Sequence, residues 1–162
     1  MIVRKATPQD RAAITNILNE VIAIGGTTAY EAPKEAQFFD RFITPKDNRT
    51  FIHVAEADGE VVGFQWMNPD ADGMGMIATF AQAGTTQRGI GSALFKETLR
   101  CCKDAGYTLL DATIRGDNTG GLAYYSKVGF KDHSVTRAVP LSDGTPVDRV
   151  HKRMELGKAD TR

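Results

Sequence analysis

The sequence predicts a mixed α/β fold, a central sheet of about seven strands flanked by about four helices, in one domain over residues 1–157 with a frayed tail at 158–162. Three features carry this reading. A strand, glycine loop and helix follow one another across 74–105; the next strand, at 107–115, runs parallel to the one before the loop because a helix connects them. Alternating segments at 51–56 and 61–67 flank Asp58-Gly59, which is hairpin chemistry. The chain of 162 residues is long enough for a real core.

In chain order, residues 2–6 form a first strand. Thr7, Pro8 and Asp10 then make a helix start, with a capping hydroxyl, proline at the first helical position and an acid in the first turn. Apolar residues at 13, 14, 17, 18, 21 and 22 give that helix one buried face, and Gly25-Gly26 ends it. A loop at 27–33 leads to a short helix ending near Phe42 and Ile43, and the hairpin follows. The loop at 68–73 carries Asp70 and Asp72 but lacks the further ligands of a calcium site. Residues 74–81 are a short apolar, β-branched run; residues 90, 94, 98, 101 and 105, all apolar but Thr98, then take up a helical period, stopped by Ala105-Gly106. Asn118 is placed to cap the next helix, and strands at 130–139 and 147–154 surround the loop at 141–146.

Composition excludes several functions. Twenty basic and twenty acidic residues cancel, so no electrostatic footprint for nucleic acid or an anionic membrane is present. No apolar run approaches the roughly 18 residues of a membrane span, and residues 1–7 lack signal-peptide architecture, so a cytoplasmic protein is expected. The two cysteines, Cys101 and Cys102, are neighbours on a helix and point about 100° apart, which disfavours a bridge. They are read as reduced, and no metal site is expected.

The chemistry concentrates in Thr85-Thr86-Gln87-Arg88-Gly89-Ile90-Gly91-Ser92. A loop that opens a helix leaves unpaired N–H groups at the positive end of the helix dipole, where a phosphate is favoured. Gly89 and Gly91 let the backbone approach an anion without a Cβ in the way, and Arg88 adds a permanent cation. Two nucleotide motifs do not match. The dinucleotide fingerprint needs a third small residue where Leu94 stands, and the P-loop needs Gly-Lys-Ser/Thr. The plain alternative for Gly-x-Gly alone is a flexible strand-to-helix connection.

The loop resembles the pyrophosphate loop of the GNAT superfamily of acyl-CoA-dependent N-acetyltransferases, Arg/Gln-x-x-Gly-x-Gly/Ala. Gly89 and Gly91 fall on the glycine positions, while Thr86 stands where that family has Arg or Gln. A second match spans 118–130, where Asn118, Tyr125, Lys127, Gly129 and Phe130 are similar to Asn-x(6)-Tyr-x-Lys-x-Gly-Phe. The loop at 27–33 is more distantly similar to that of the phosphinothricin and amino-acid N-acetyltransferases.

The resemblance implies a twisted sheet in which the parallel strands splay apart near Phe80-Ala81 and Leu110-Ala112, with the pantetheine arm of acetyl-CoA between them. It implies direct acetyl transfer to the primary amine of a small molecule. Phe80 and Ala81 would pair with the arm by main chain; Thr86, Gln87, Arg88, Gly89, Ile90, Gly91 and Ser92 would hold the pyrophosphate; Asn118 would lie near the pantetheine, or serve as a helix cap, or both. Tyr125 would protonate the leaving thiolate, with Tyr124 packed against the sheet. Tyr30 and Glu31 would face the amine, or Glu31 is simply solvated. The glutamate that many relatives carry on the strand at 74–81 is absent, which leaves Asp111, Asp117, Glu31 and His53 as candidate bases. A non-catalytic acyl-CoA-binding domain, a protein N-terminal or lysine acetyltransferase and a nucleotide-binding module are the competing readings. A homodimer is compatible with all of them.

Overall fold

A computed structural model describes residues 1–85 and 87–157; Thr86 and the tail at 158–162, both subjects of expectations above, lie outside the described residues. The strands are β1 (Ile2–Lys5), β2 (Phe51–Ala57), β3 (Glu60–Pro69), β4 (Gly75–Ala81), β5 (Leu109–Arg115), β6 (Lys131–Pro140) and β7 (Pro146–Glu155). The helices are α1 (Arg11–Ile24), α2 (Asp40–Ile43), α3 (Ile90–Asp104) and α4 (Thr119–Val128), with 3-10 turns at Pro8–Asp10 and Ala36–Phe39. One sheet of seven strands is formed, as expected, and it runs in the order β1-β2-β3-β4-β5-β7-β6.

Most strand limits differ from the sequence reading by one or two residues, and two boundaries differ for clear local reasons. Pro8–Asp10 is a 3-10 turn ahead of α1, because the Asp10 carboxylate folds back to accept from the Thr7 amide and from Arg4. At the other end of the chain's middle third, β5 starts at Leu109 because the Tyr107 amide donates to the Cys102 carbonyl and so finishes α3 instead of opening a strand. The hairpin turn is as expected: Asp58 and Gly59 have φ of 52° and 79°, which a two-residue connection requires.

Burial fixes the layers. Ile14, Ile17, Leu18 and Ile22 of α1 pack with Phe39 and Phe42 onto Ile52, Val54, Phe64, Trp66 and Phe80 on one face of the sheet. On the opposite face, Phe95 and Cys102 of α3 and Tyr125 of α4 pack onto Met67, Ile77, Leu110, Ala112 and Ile114. Ile90 and Leu94, at the start of α3, meet Ala55 and Val62 of the hairpin. Gly63 admits Ile90: a Cβ there would sit 2.6 Å from Ile90 Cγ2 and 3.0 Å from the Phe80 carbonyl. That contact holds the mouth of the glycine loop against β3.

Candidate functional site

The parallel pair β4 and β5 is joined only at Gly75 with Leu110 and Met76 with Asp111. Beyond these, β4 stays paired to β3 through Ala81 and β5 stays paired to β7 through Arg115. The strands therefore part, and the β5-facing edge of Ile77–Ala81 has no strand beside it. On β4 the split begins at Ile77, ahead of the expected Phe80-Ala81, while on β5 it begins only at Ala112, since Leu110 and Asp111 belong to the joined part. Phe80 and Ala81 lie on the free edge, where their unpaired main-chain groups are available to an extended amide-containing chain.

At the top of this gap, Gly89 caps α3 in the left-handed conformation, φ 75°, with open space where a Cβ would be. The first intrahelical bond runs from Ala93 to Gly89, so the amides of Ile90, Gly91 and Ser92 precede it at the positive end of a fifteen-residue helix. Gln87, Arg88 and Gly89 are exposed. This arrangement fits an anionic group such as a pyrophosphate.

Gly91 has a different reason from Gly89. A Cβ at Gly91 would drive into the Tyr124 ring, so this glycine exists to let α4 lean on the first turn of α3. The Tyr124 hydroxyl donates to the Gly91 carbonyl at 2.8 Å. Its oxygen accepts from Gln65 Nε2 at 3.0 Å, and the same nitrogen donates to Thr79 Oγ1 at 2.8 Å. Thr79 Oγ1 in turn lies 2.8 Å from the Tyr125 hydroxyl. Gln65 is fully buried, and its Oε1 has no partner among the described residues.

Tyr125 is thus brought to β4, at the splay, while its neighbour is tied to the first turn of α3. The two rings meet edge-on with centroids 4.8 Å apart. Tyr124 does more than pack against the sheet: both hydroxyls enter one hydrogen-bonded cluster. Burial raises the pKa of Tyr125 strongly, and the Thr79 bond opposes that shift; burial also raises that of Tyr124. Both phenols are protonated at neutral pH. Gln65 and Thr79 belong to no motif, and their one sequence signal is a glutamine inside the otherwise apolar run 61–67.

The remaining candidates scatter. Asn118 caps α4 by accepting from the Gly121 amide and donates to the Thr27 carbonyl, so it links α4 to the loop after α1. Tyr30 in that loop packs against Trp66 and Phe38, with Lys34 Nζ 4.8 Å from its ring centre. Glu31 is exposed and accepts from the Ser142 amide and hydroxyl, tying the loop to the β6–β7 turn. Asp117 is held by Arg115, which lowers its pKa. Asp111 is buried beside His151, 3.7 Å away, and burial raises its pKa. His53 lies on β2 against α3, its Nε2 3.7 Å from Cys101 Sγ. Among the four candidate bases, none shares a hydrogen bond with the Tyr125 cluster. The thiols of Cys101 and Cys102 are both raised by burial, that of Cys102 to about 12, so neither is a nucleophile at neutral pH. Surface cavities of 570 Å³ beside Asp132, His133 and Arg153 and of 600 Å³ beside Arg41 and Asp47 lie away from the splay.

A family model described as the acetyltransferase (GNAT) family matches residues 15–130. The chain belongs to the GNAT acetyltransferase family. Acetyl-CoA is the cosubstrate of that family, which agrees with the expectation drawn from the two motifs. Among curated relatives of this GNAT chain, the mycothiol acetyltransferase of Clavibacter sepedonicus is 29% identical over 89 residues, covering 55% of the chain and 29% of the relative. The chain thus spans under a third of that relative's length. YwnH of Bacillus subtilis is 25% identical over 164 residues, covering 91% of the chain and 94% of the relative. The fold is shared with a Sinorhizobium meliloti phosphinothricin acetyltransferase solved with AcCoA, at TM-score 0.86 and 23% identity over 99% of this chain and 91% of that one. It is shared equally with a ribosomal-protein-alanine N-acetyltransferase from Brucella melitensis, at TM-score 0.87 and 21% identity over 96% and 100% of the two chains.

Proposed function

We propose that residues 1–157 act as one N-acetyltransferase domain that moves an acetyl group from acetyl-CoA directly to the primary amine of a small molecule. The observation that carries this is the position of Tyr125: a buried, protonated phenol at the free edge of β4, behind a helix N-terminus open to an anion. In this reading the amides of 89–92, with Thr86, Gln87 and Arg88, hold the pyrophosphate. The main chain of Phe80 and Ala81 lines the pantetheine arm, Asn118 borders it, and Tyr30 and Glu31 edge the acceptor side. The amine nitrogen attacks the thioester carbon, the C–S bond breaks with its electron pair on sulfur, and Tyr125 gives its proton to that sulfur.

A small-molecule acceptor is favoured by relatives named for mycothiol and phosphinothricin and by a chain without net charge to attract a polymer. No described helix is long and apolar enough to cross a membrane. We place the enzyme in the cytoplasm, consistent with free cysteines, and as a homodimer through β6, an edge strand with nine of ten residues exposed. The test is release of free CoA thiol from acetyl-CoA against L-amino acids, polyamines, aminoglycosides and short peptides, with a thermal-shift arm. Acetyl-CoA raises Tm by mass action and NAD or ATP does much less. Equal shifts from NAD, or thiol release with no amine in the panel, defeat the reading.

A further inference from the structure

We infer that Gln65, Thr79 and Tyr124 are positioning residues that fix which way the Tyr125 hydroxyl points, so that its proton is kept for the leaving sulfur. The inference rests on Tyr125 as the proton donor proposed above.

Donor and acceptor chemistry fixes the direction as far as Thr79, and at the Thr79–Tyr125 link, where either hydroxyl can donate, we assign Thr79 as the donor. A backbone carbonyl only accepts, so the single Tyr124 proton goes to the Gly91 oxygen. The Tyr124 oxygen must then accept from Gln65, which requires Nε2 to face it. Turning the amide over would set Oε1 against an oxygen whose proton is already committed. The second Nε2 hydrogen is directed to Thr79 Oγ1. Having accepted there, Thr79 has its own proton for the Tyr125 oxygen 2.8 Å away. Tyr125 keeps its proton with no second protein partner among the described residues. The unpartnered Gln65 Oε1 is what this orientation costs: the cluster is arranged for direction and leaves one buried acceptor empty.

The same order serves the chemical step. When sulfur takes the Tyr125 proton, a phenolate forms in a buried position, and burial alone would resist it. The Thr79 hydroxyl already donates to that oxygen and stabilises the anion as it develops. The phenolate then recovers a proton equivalent to the one the attacking nitrogen sheds, so the cycle balances. Because the chain of bonds is anchored on the Gly91 carbonyl, in the first turn of the helix that faces the pyrophosphate, Tyr125 is aligned by the element that holds the cofactor.

The test uses the amine that releases thiol fastest in the panel above. Thr79→Val, nearly isosteric, is expected to lower kcat about tenfold or more while KM for acetyl-CoA and Tm stay close to wild type, and Thr79→Ser restores turnover. Tyr124→Phe, which removes the anchoring proton but keeps the ring, lowers kcat by about a few-fold. In a Tyr125→Phe background, Thr79→Val has no further effect on kcat. Wild-type kcat in Thr79→Val beside an impaired Tyr125→Phe overturns this inference alone, as do additive losses in the double variant. Wild-type kcat in Tyr125→Phe overturns the proton-donor reading and this inference with it. Should Thr79→Val not fold, Gln65→Leu carries the same expectation and the same outcomes.

Discussion

The sheet has two unlike halves. All eleven residues at the centres of β2 and β3, Phe51–Ala55 and Val62–Met67, are buried between α1–α2 on one face and α3 on the other, whereas β6 exposes nine of its ten. β7 is half-buried along most of its length. The packed half carries the glycine loop, the Gln65–Thr79 cluster and the free edge of β4; the open half, with Thr113, His133, His151 and Arg153, is exposed or half-buried beyond the splay. The difference teaches where specificity can vary. In the proposed reading a cosubstrate that never changes is held by backbone amides fixed through packing, while a face of exposed polar side chains can be rewritten without disturbing the core.

The largest effect expected on the packed half comes from Gly91→Val. Its side chain would displace the Tyr124 ring and the first turn of α3 together, so we expect acetyl-CoA affinity to fall by roughly a hundredfold or more, measured by titration calorimetry on folded protein. Unchanged affinity would detach the loop from the site. The contrast with Gly89 sharpens this. Ala at Gly89 meets no atom and is strained only by its φ of 75°, so its cost should be nearer 1–2 kcal/mol of stability.

Next in size is Tyr125→Phe, expected to lower kcat by roughly ten- to a thousandfold with acetyl-CoA binding retained. Steady-state kinetics with chemistry rate-limiting decides it.

Stability measurements compare the halves directly. Phe64 is fully buried and stacks between Phe80 and Trp66, so Phe64→Ala should cost about 3–5 kcal/mol by urea titration. Val135 is 43% exposed on β6, and Val135→Ala should stay within about 0.5 kcal/mol in the free protein. A large loss at Val135 would mean that β6 is covered in solution by a second copy, and so would break the contrast between the halves while supporting the homodimer.

Legibility followed the same division. Strand order apart, the elements were readable because apolar period, turn residues and caps agree locally; Asp58-Gly59 and Asn118 act as their chemistry dictates. The family was readable because the glycine loop and the Asn118 to Phe130 segment carry fixed residue types at fixed spacing. What sequence did not reveal depends on long-range packing. Gln65 and Tyr124 lie 59 residues apart and Thr79 and Tyr125 lie 46 apart, so nothing local marks them as one cluster. The steric reason for Gly91 was likewise invisible, since it belongs to a ring on another helix. Glu31 and Asp117 looked available as carboxylates and turn out to be engaged by Ser142 and Arg115.

The smallest expected effect concerns His53, a buried histidine of the packed half. Burial between β2 and α3 pushes its pKa from 6.5 down to about 4, against a smaller opposing pull from Glu97 and with Lys5 and Arg100 adding to the depression. Its Nδ1 has no partner among the described residues, so a proton there would gain little. The sign follows from proton uptake. The unfolded chain binds this proton first, so the imidazole leaves stability unaffected above pH 6.5, and stability falls as the pH drops from 6.5 toward 4. Each pH unit across that window is worth about 1.4 kcal/mol, which makes the full loss on the order of 3 kcal/mol, discounted for whatever relaxation lets water reach the ring. Urea midpoints measured from pH 7.5 to 4.5 should therefore decline more steeply for wild type than for His53→Leu, the carboxylate contribution being common to both. Parallel curves would show that the imidazole is charged or solvated in the folded protein, and the claim that this half of the sheet is sealed on its α3 face would fail with them.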